Sequence, residues 1–222
     1  MLTCETLRKM YLTDRGHVEA VKRISLTVPQ GQFAAIVGRS GSGKSSLMAM
    51  IGGLSRPTSG TVCYGDTDIW SLSTDRLARF RSCEIGFMFQ FPSLLSTLRI
   101  IDNVALPALL ARQQPVKAAY RYSGELLDRM GLAGHIDAYP GELSSGEQRR
   151  AVIARSLVNS PMLLLADEPT SDLDEATEAE IMDQLRAVNR DKRVTVIMVT
   201  HNLRLAEQSE RILHIADGRL VS

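Results

Sequence analysis

Residues Gly38-Arg39-Ser40-Gly41-Ser42-Gly43-Lys44-Ser45 complete the pattern G-x-x-x-x-G-K-[ST]. No other stretch narrows the fold as much. An apolar run, Phe33–Val37, precedes it and a helical pattern over residues 45–52 follows. The loop is therefore expected to join a buried strand to the start of a helix. In that setting the glycines let the backbone curl around phosphate oxygens, and main-chain N–H groups and the helix N-terminus face the anion. Lys44 is expected to reach the β- and γ-phosphates as a point charge. The Ser45 hydroxyl is expected to bind Mg²⁺, with Ser46 near the α-phosphate.

Further strand-like runs lie at residues 85–89, 162–166, 194–199 and 212–215. Several are apolar without alternation, as in strands buried on both faces of a parallel sheet. A helical pattern at 175–189 falls between two of them, which predicts an α/β layered fold. Residues 61–70, with Gly65-Asp66 as a turn, predict a small antiparallel sheet near the N-terminus. From about 101 to 159 the pattern is helical, punctuated by Pro107, Pro115, Pro140, Gly131 and Gly141. This reads as a helical lobe inserted into the α/β core.

The run 162–166 leads directly into Asp167-Glu168. Burying an unpaired carboxylate is costly, so acids that end an apolar strand need a partner. Beside a phosphate loop that partner is Mg²⁺, held by Asp167. Glu168, one residue on, is placed to polarise an attacking water.

Leu143-Ser144-Ser145-Gly146-Glu147-Gln148 contains Ser144 three residues before Glu147, a capping box ahead of a helical run at 149–158. The segment also resembles the LSGGQ signature of ABC ATPases, and the resemblance extends over essentially the whole chain. Tyr11 stands where that family stacks an aromatic on adenine, with Val18 as a second apolar contact. Gln90 matches the Q-loop glutamine that reaches Mg²⁺. Ser171-Asp172-Leu173-Asp174 resembles the D-loop that touches the partner subunit, and His201 matches the switch histidine at the γ-phosphate. The chain departs from the family pattern at Ser145 (usually glycine), Asn202, Ser46 and Arg39. Within the family it looks most like the stand-alone subunits of the lipoprotein-releasing and macrolide-exporter class.

The resemblance implies a P-loop NTPase (RecA-like) core with a mainly parallel sheet over residues 1–90 and 160–222, carrying an antiparallel β subdomain. It places a helical subdomain at 91–159, the whole forming one ATPase domain. It implies ATP and Mg²⁺ as ligands, with metal contacts from Ser45, Gln90 and Asp167. Catalysis would fall to Lys44, Glu168 and His201. Ser144, Ser145, Gly146 and Glu147 would address the nucleotide of a second copy in an ATP sandwich. The implied partners are integral membrane permease subunits, and the place is the inner face of the cell membrane. Two activities fit: export or extraction of a hydrophobic or lipid-linked substrate, or regulation of a membrane or periplasmic partner without transport.

Composition agrees with a soluble motor. The 222 residues carry 26 Lys and Arg against 25 Asp and Glu. With a formal net charge of +1 and no basic stripe, a nucleic-acid partner is not expected. The three cysteines are scattered, which suits a reducing compartment, and no two sit at metal-ligand spacing. The first ten residues do not read as a secretory signal, and no apolar run approaches the ~20 residues of a membrane helix. The segment 91–101 is apolar and is expected to be either core or a docking groove.

Overall fold

The computed structural model describes residues 1–14 and 16–221. Along the chain the elements are β1 (Leu2–Thr13), β2 (Gly16–Val28), β3 (Phe33–Val37), α1 (Lys44–Ile51), β4 (Ser59–Tyr64), β5 (Thr67–Asp68) and α2 (Thr74–Glu84). There follow β6 (Ile85–Met88), α3 (Ile100–Ala111), α4 (Val116–Arg129), α5 (Ser145–Leu157), β7 (Leu163–Asp167) and α6 (Glu175–Lys192). The chain ends with β8 (Thr195–Thr200), α7 (Leu203–Ala206), β9 (Arg211–Ala216) and β10 (Arg219–Val221). Two compact units result: Met1–Arg81 together with the chain from Thr195 onward, and Ser82–Val194.

The first unit holds an antiparallel sheet in the order β2-β1-β4-β5. It also holds β3 between β8 and β9, both parallel to it, with β10 antiparallel to β9. All five residues of β3 and all six of β8 are buried, so their unbroken apolar runs follow from coverage on both faces. Tyr64 and Trp70 tie the antiparallel sheet to α1. The Tyr64 hydroxyl donates to Ile51 O at 2.8 Å and the Trp70 indole N–H donates to Met50 O at 3.2 Å. Each satisfies its polar atom while its ring is buried. Burial pushes the Cys4 thiol up to about 12, which leaves it unreactive at neutral pH.

In the second unit β6 and β7 pair in parallel, Ile85 with Leu163 through Met88 with Ala166. Helices α3, α4 and α5 pack on one another around Ile100, Val104, Leu126, Leu127, Ile153 and Leu157. The helical stretch expected over 101–159 lies inside this unit.

β3 lies where its apolar run predicts, and β6, β7, β8, β9, α1 and α6 lie within a few residues of their expected bounds at each end. No pattern in the sequence predicts β1, β2 or α2. The long β1–β2 hairpin changes register three times, beginning between Cys4 and Leu7. Thr6 at φ 47° and Arg23 at φ 56° mark irregularities in its strands. Each irregularity moves the apolar positions to a new phase, so no simple alternation survives to be read.

Candidate functional site

The phosphate loop leaves the carboxyl end of β3 and enters α1 at Gly43. Gly43 has φ 103°, and a Cβ there would lie 2.2 Å from Ala20 O of β2. Only glycine allows both the left-handed backbone and that approach. No side chain caps the start of α1 and its first turn has no acid. The orphan N–H groups of that turn are thus left for an external anion. Lys44 is buried, its Nζ donating to Gly38 O at 2.7 Å and Arg39 O at 3.0 Å. An ammonium held against carbonyls of its own loop is positioned inside the cradle before any phosphate arrives. The Ser42 hydroxyl is buried without a hydrogen-bond partner among the described residues, an unmet capacity that a phosphate oxygen would fill. Arg39, Ser40, Gly41 and Ser45 are exposed at the mouth of the loop.

Tyr11 and Val18 are register partners on β1 and β2, and both are exposed. The Tyr11 hydroxyl donates to Ser46 Oγ at 3.3 Å, and Lys9 Nζ sits 5.0 Å from its ring centroid. The expected base-stacking pair therefore stands beside the first turn of α1. Thr200 is the register partner of Val37, so His201 leaves β8 next to the point where the phosphate loop leaves β3. These residues belong to the first unit.

In the second unit Gln90 follows β6 and Asp167 ends β7. Met88 pairs with Ala166, so the two candidates emerge from the carboxyl ends of adjacent parallel strands, the edge at which open α/β sheets bind ligands. Asp167 and Glu168 are half-buried, and Glu168 has φ 46°. Such a backbone in a non-glycine residue costs of order 1–3 kcal/mol and persists only where the surroundings fix it. Ser171 N donates to Glu168 O at 3.1 Å. Asp172 is exposed. Asp174 caps α6, accepting from Ala176 N at 3.1 Å and Thr177 N at 3.0 Å. The Thr177 hydroxyl and N–H hold its carboxyl below the usual carboxylate range.

The capping box is present as the sequence implies. Ser144 N donates to Glu147 Oε2 at 2.8 Å, and Glu147 N to Ser144 Oγ at 3.3 Å. The Ser144 N–H and hydroxyl hold the Glu147 carboxyl below its usual range. The helix begins four residues earlier than the 149–158 run suggests, at Ser145. Ser145 is exposed, whereas a Cβ on Gly146 would lie 2.6 Å from Thr177 Cγ2. Packing within this unit therefore requires glycine at 146 and tolerates serine at 145.

Three side chains to which the sequence assigns no site role hold the chain at and after Gln90. Arg149 donates to Phe89 O at 2.9 Å and to Gln90 O; Arg155 donates to Ser93 O at 2.7 Å and Pro92 O at 3.1 Å. Asn103, fully buried, accepts from Leu95 N at 2.7 Å and donates to Leu95 O, Leu98 O and Arg99 O. The segment is gripped by its main chain, which leaves Phe91 74% and Leu95 47% exposed, with Leu94 half-buried. Asn103→Ala would take the partner from these part-buried main-chain groups, so we expect a loss of about 1–3 kcal/mol and faster hydrogen exchange at the Leu95 amide. An unchanged denaturation midpoint would contradict this grip.

Residues 21–171 match the family model described as ABC transporter. The chain is 45% identical over 222 residues to the lipoprotein-releasing system ATP-binding protein LolD of Geobacter metallireducens, covering 100% of this chain and 98% of that protein. It is 43% identical over 220 residues to the protein of the same name from Syntrophotalea carbinolica, covering 99% of this chain and 96% of that one. Among solved structures it is similar to the ATP-binding cassette MJ0796, a dimer in a post-hydrolysis state bound to ADP and Pi. There the TM-score is 0.92 at 34% identity, over 100% of this chain and 97% of that one. The fold is accordingly the α/β fold of P-loop nucleotide hydrolases.

Proposed function

The chain belongs to the ABC transporter family as an ATP-binding, ATP-hydrolysing subunit, and we propose that two copies of it drive integral membrane subunits that extract or release a lipid-linked substrate such as a lipoprotein. The reading of the substrate is supported by the full-length similarity to lipoprotein-releasing ATP-binding proteins. The observation that carries the nucleotide chemistry is the buried Lys44 ammonium at an uncapped helix start.

In this reading Lys44 leaves its two carbonyls to hold the β- and γ-phosphates, and the first turn of α1 receives phosphate oxygens. Tyr11 stacks on the base with Val18 at its edge. Glu168 takes a proton from water as that water's oxygen bonds to the γ-phosphorus and the β–γ bridging bond breaks, leaving ADP. His201 fixes the γ-phosphate. The residues assigned to Mg²⁺ are Ser45, Gln90 and Asp167, an all-oxygen donor set that suits a small hard cation shared with phosphates and waters. When bound, Mg²⁺ neutralises charge on the β- and γ-phosphate oxygens. Ser144 and Gly146 of the partner subunit, at the start of α5, cap the γ-phosphate, with Ser171, Asp172 and Asp174 lying along the shared face. ATP is then the glue between copies, and hydrolysis releases them.

No helix among the described residues is long and apolar enough to cross a membrane, so the membrane work falls to other chains. We assign their docking to the outward face of the segment after Gln90, where Phe91 and Leu95 are exposed. Phe91→Ser combined with Leu95→Ser is expected to remove the copurifying integral subunits and uncouple ATPase activity from substrate release, while the isolated chain hydrolyses ATP at its ordinary rate. Normal assembly and coupling in the folded variant would place docking elsewhere. The function itself is tested by purification from membranes, identification of the bound integral subunits, and an assay for ATP-dependent release of lipoprotein. ATP turnover by the complex with no substrate moved would favour regulation over transport.

A further inference from the structure

Arg149, at 3% exposure, is the one buried arginine among the described residues. Among the described residues it makes no ion pair within 4 Å. Its fork is instead divided between two segments. Nη1 and Nη2 donate to the carbonyls of Phe89 and Gln90, and Nη2 also donates to Ser171 Oγ at 3.1 Å. Burial pulls the guanidinium below the usual arginine range, and the charge of Asp172 acts the other way. A charge withdrawn from water at this cost is retained only where its hydrogen bonds are all well directed.

The segment it grips on one side carries Gln90. The segment on the other side runs from Glu168 to Asp174 and holds two non-glycine residues in the left-handed region, Glu168 at φ 46° and Asp172 at φ 64°. Ser171 lies between them. Within this loop Ser171 N donates to Glu168 O at 3.1 Å, Leu173 N to Thr170 O at 3.3 Å, and the Thr170 hydroxyl to Glu178 Oε2 at 3.3 Å. Helix α5 makes a second contact with the same region where Gly146 meets the Thr177 methyl. Strained backbone needs such outside constraint to persist.

We propose that Arg149 is a positioning residue for hydrolysis, locking the main chain that carries Gln90 to the loop that carries Glu168 so that both adopt the reactive geometry together. This rests on the reading of Glu168 as the base. Arg155 shares the grip on the segment after Gln90 but does not reach the Glu168 loop, so the coupling belongs to Arg149. A lysine could keep the charge but, as a point charge on a flexible stem, could not span two carbonyls and a hydroxyl in one plane.

The test is steady-state ATP hydrolysis by Arg149→Lys and Ser171→Ala, singly and together, beside Glu168→Gln. Misplacing reacting groups by about an ångström costs about 100-fold, so kcat of Arg149→Lys should fall roughly 10- to 100-fold while KM for ATP stays within about 3-fold. Ser171→Ala should lower kcat severalfold, and the double variant should fall no further than Arg149→Lys alone. Wild-type kcat in a folded Arg149→Lys, or a raised KM with kcat intact, overturns the proposal. Should Arg149→Lys fail to fold, Ser171→Ala decides, because an unchanged kcat there also overturns it. An active Glu168→Gln would instead sink the assignment of the base. An inactive Glu168→Gln beside a normal Arg149→Lys would sink the role of Arg149 alone.

Discussion

Glu168→Gln is expected to bind ATP as tightly as the wild type and to lose about 10²- to 10⁴-fold in turnover, the range a positioned general base supplies. The amide matches the carboxylate in shape, so the left-handed backbone at residue 168 and the Ser171 N–H to Glu168 O bond can survive the exchange. What is lost is the capacity to take a proton from water. With binding intact and bond cleavage blocked, the nucleotide-glued pair of subunits should accumulate. Size-exclusion chromatography with light scattering in ATP and Mg²⁺ should show a dimer that the wild type forms only transiently. Normal turnover would remove Glu168 from the base role, and a variant that stays monomeric at high concentration would remove ATP as the glue.

Lys44→Ala is expected to weaken ATP binding by about 100-fold. A hydrogen bond to a charged group contributes roughly 1.5–3 kcal/mol, and this ammonium is the lysine charge built into the loop. In the structure it is buried and donates to Gly38 O and Arg39 O, so its charge is already drawn into the loop before nucleotide arrives. On binding it exchanges these carbonyls for phosphate oxygens of the nucleotide, which is why its loss should appear in affinity and not only in rate. Titration of the isolated subunit with a fluorescent ATP analogue measures this, with circular dichroism checking the fold. Unchanged affinity in a folded variant would show that the phosphate site lies elsewhere.

The parts of the molecule that could be read beforehand are those in which side chains advertise their environment. The buried strands β3 and β7 are apolar without a break, the phosphate loop is a matter of glycine, lysine and serine spacing, and the box at Ser144 and Glu147 is two side chains three residues apart. Helix α2, by contrast, spans TDRLARFRSCE, with Leu77 and Cys83 its buried apolar residues. So thin an apolar stripe gives little periodicity to detect. The grip exerted by Arg149, Arg155 and Asn103 was illegible for a different reason. Each addresses main-chain carbonyls, which every residue possesses, so no complementary residue type marks the acceptor. In the run Glu147-Gln148-Arg149-Arg150 nothing separates the buried arginine from its half-exposed neighbour. The steric demand at Gly146 was likewise hidden, because the Thr177 methyl that a Cβ there would meet lies on another helix, far along the chain.

The central claim is that each ATP is hydrolysed between two copies of this chain, with Ser144 and Gly146 of the partner subunit completing the site. The most direct measurement is turnover per subunit as a function of subunit concentration, with the oligomeric state followed by light scattering in the same solutions. The account predicts that specific activity rises with concentration and levels off as dimers form under turnover, and that it vanishes as the subunits are diluted into monomers. Full activity in solutions that contain monomers alone would contradict it.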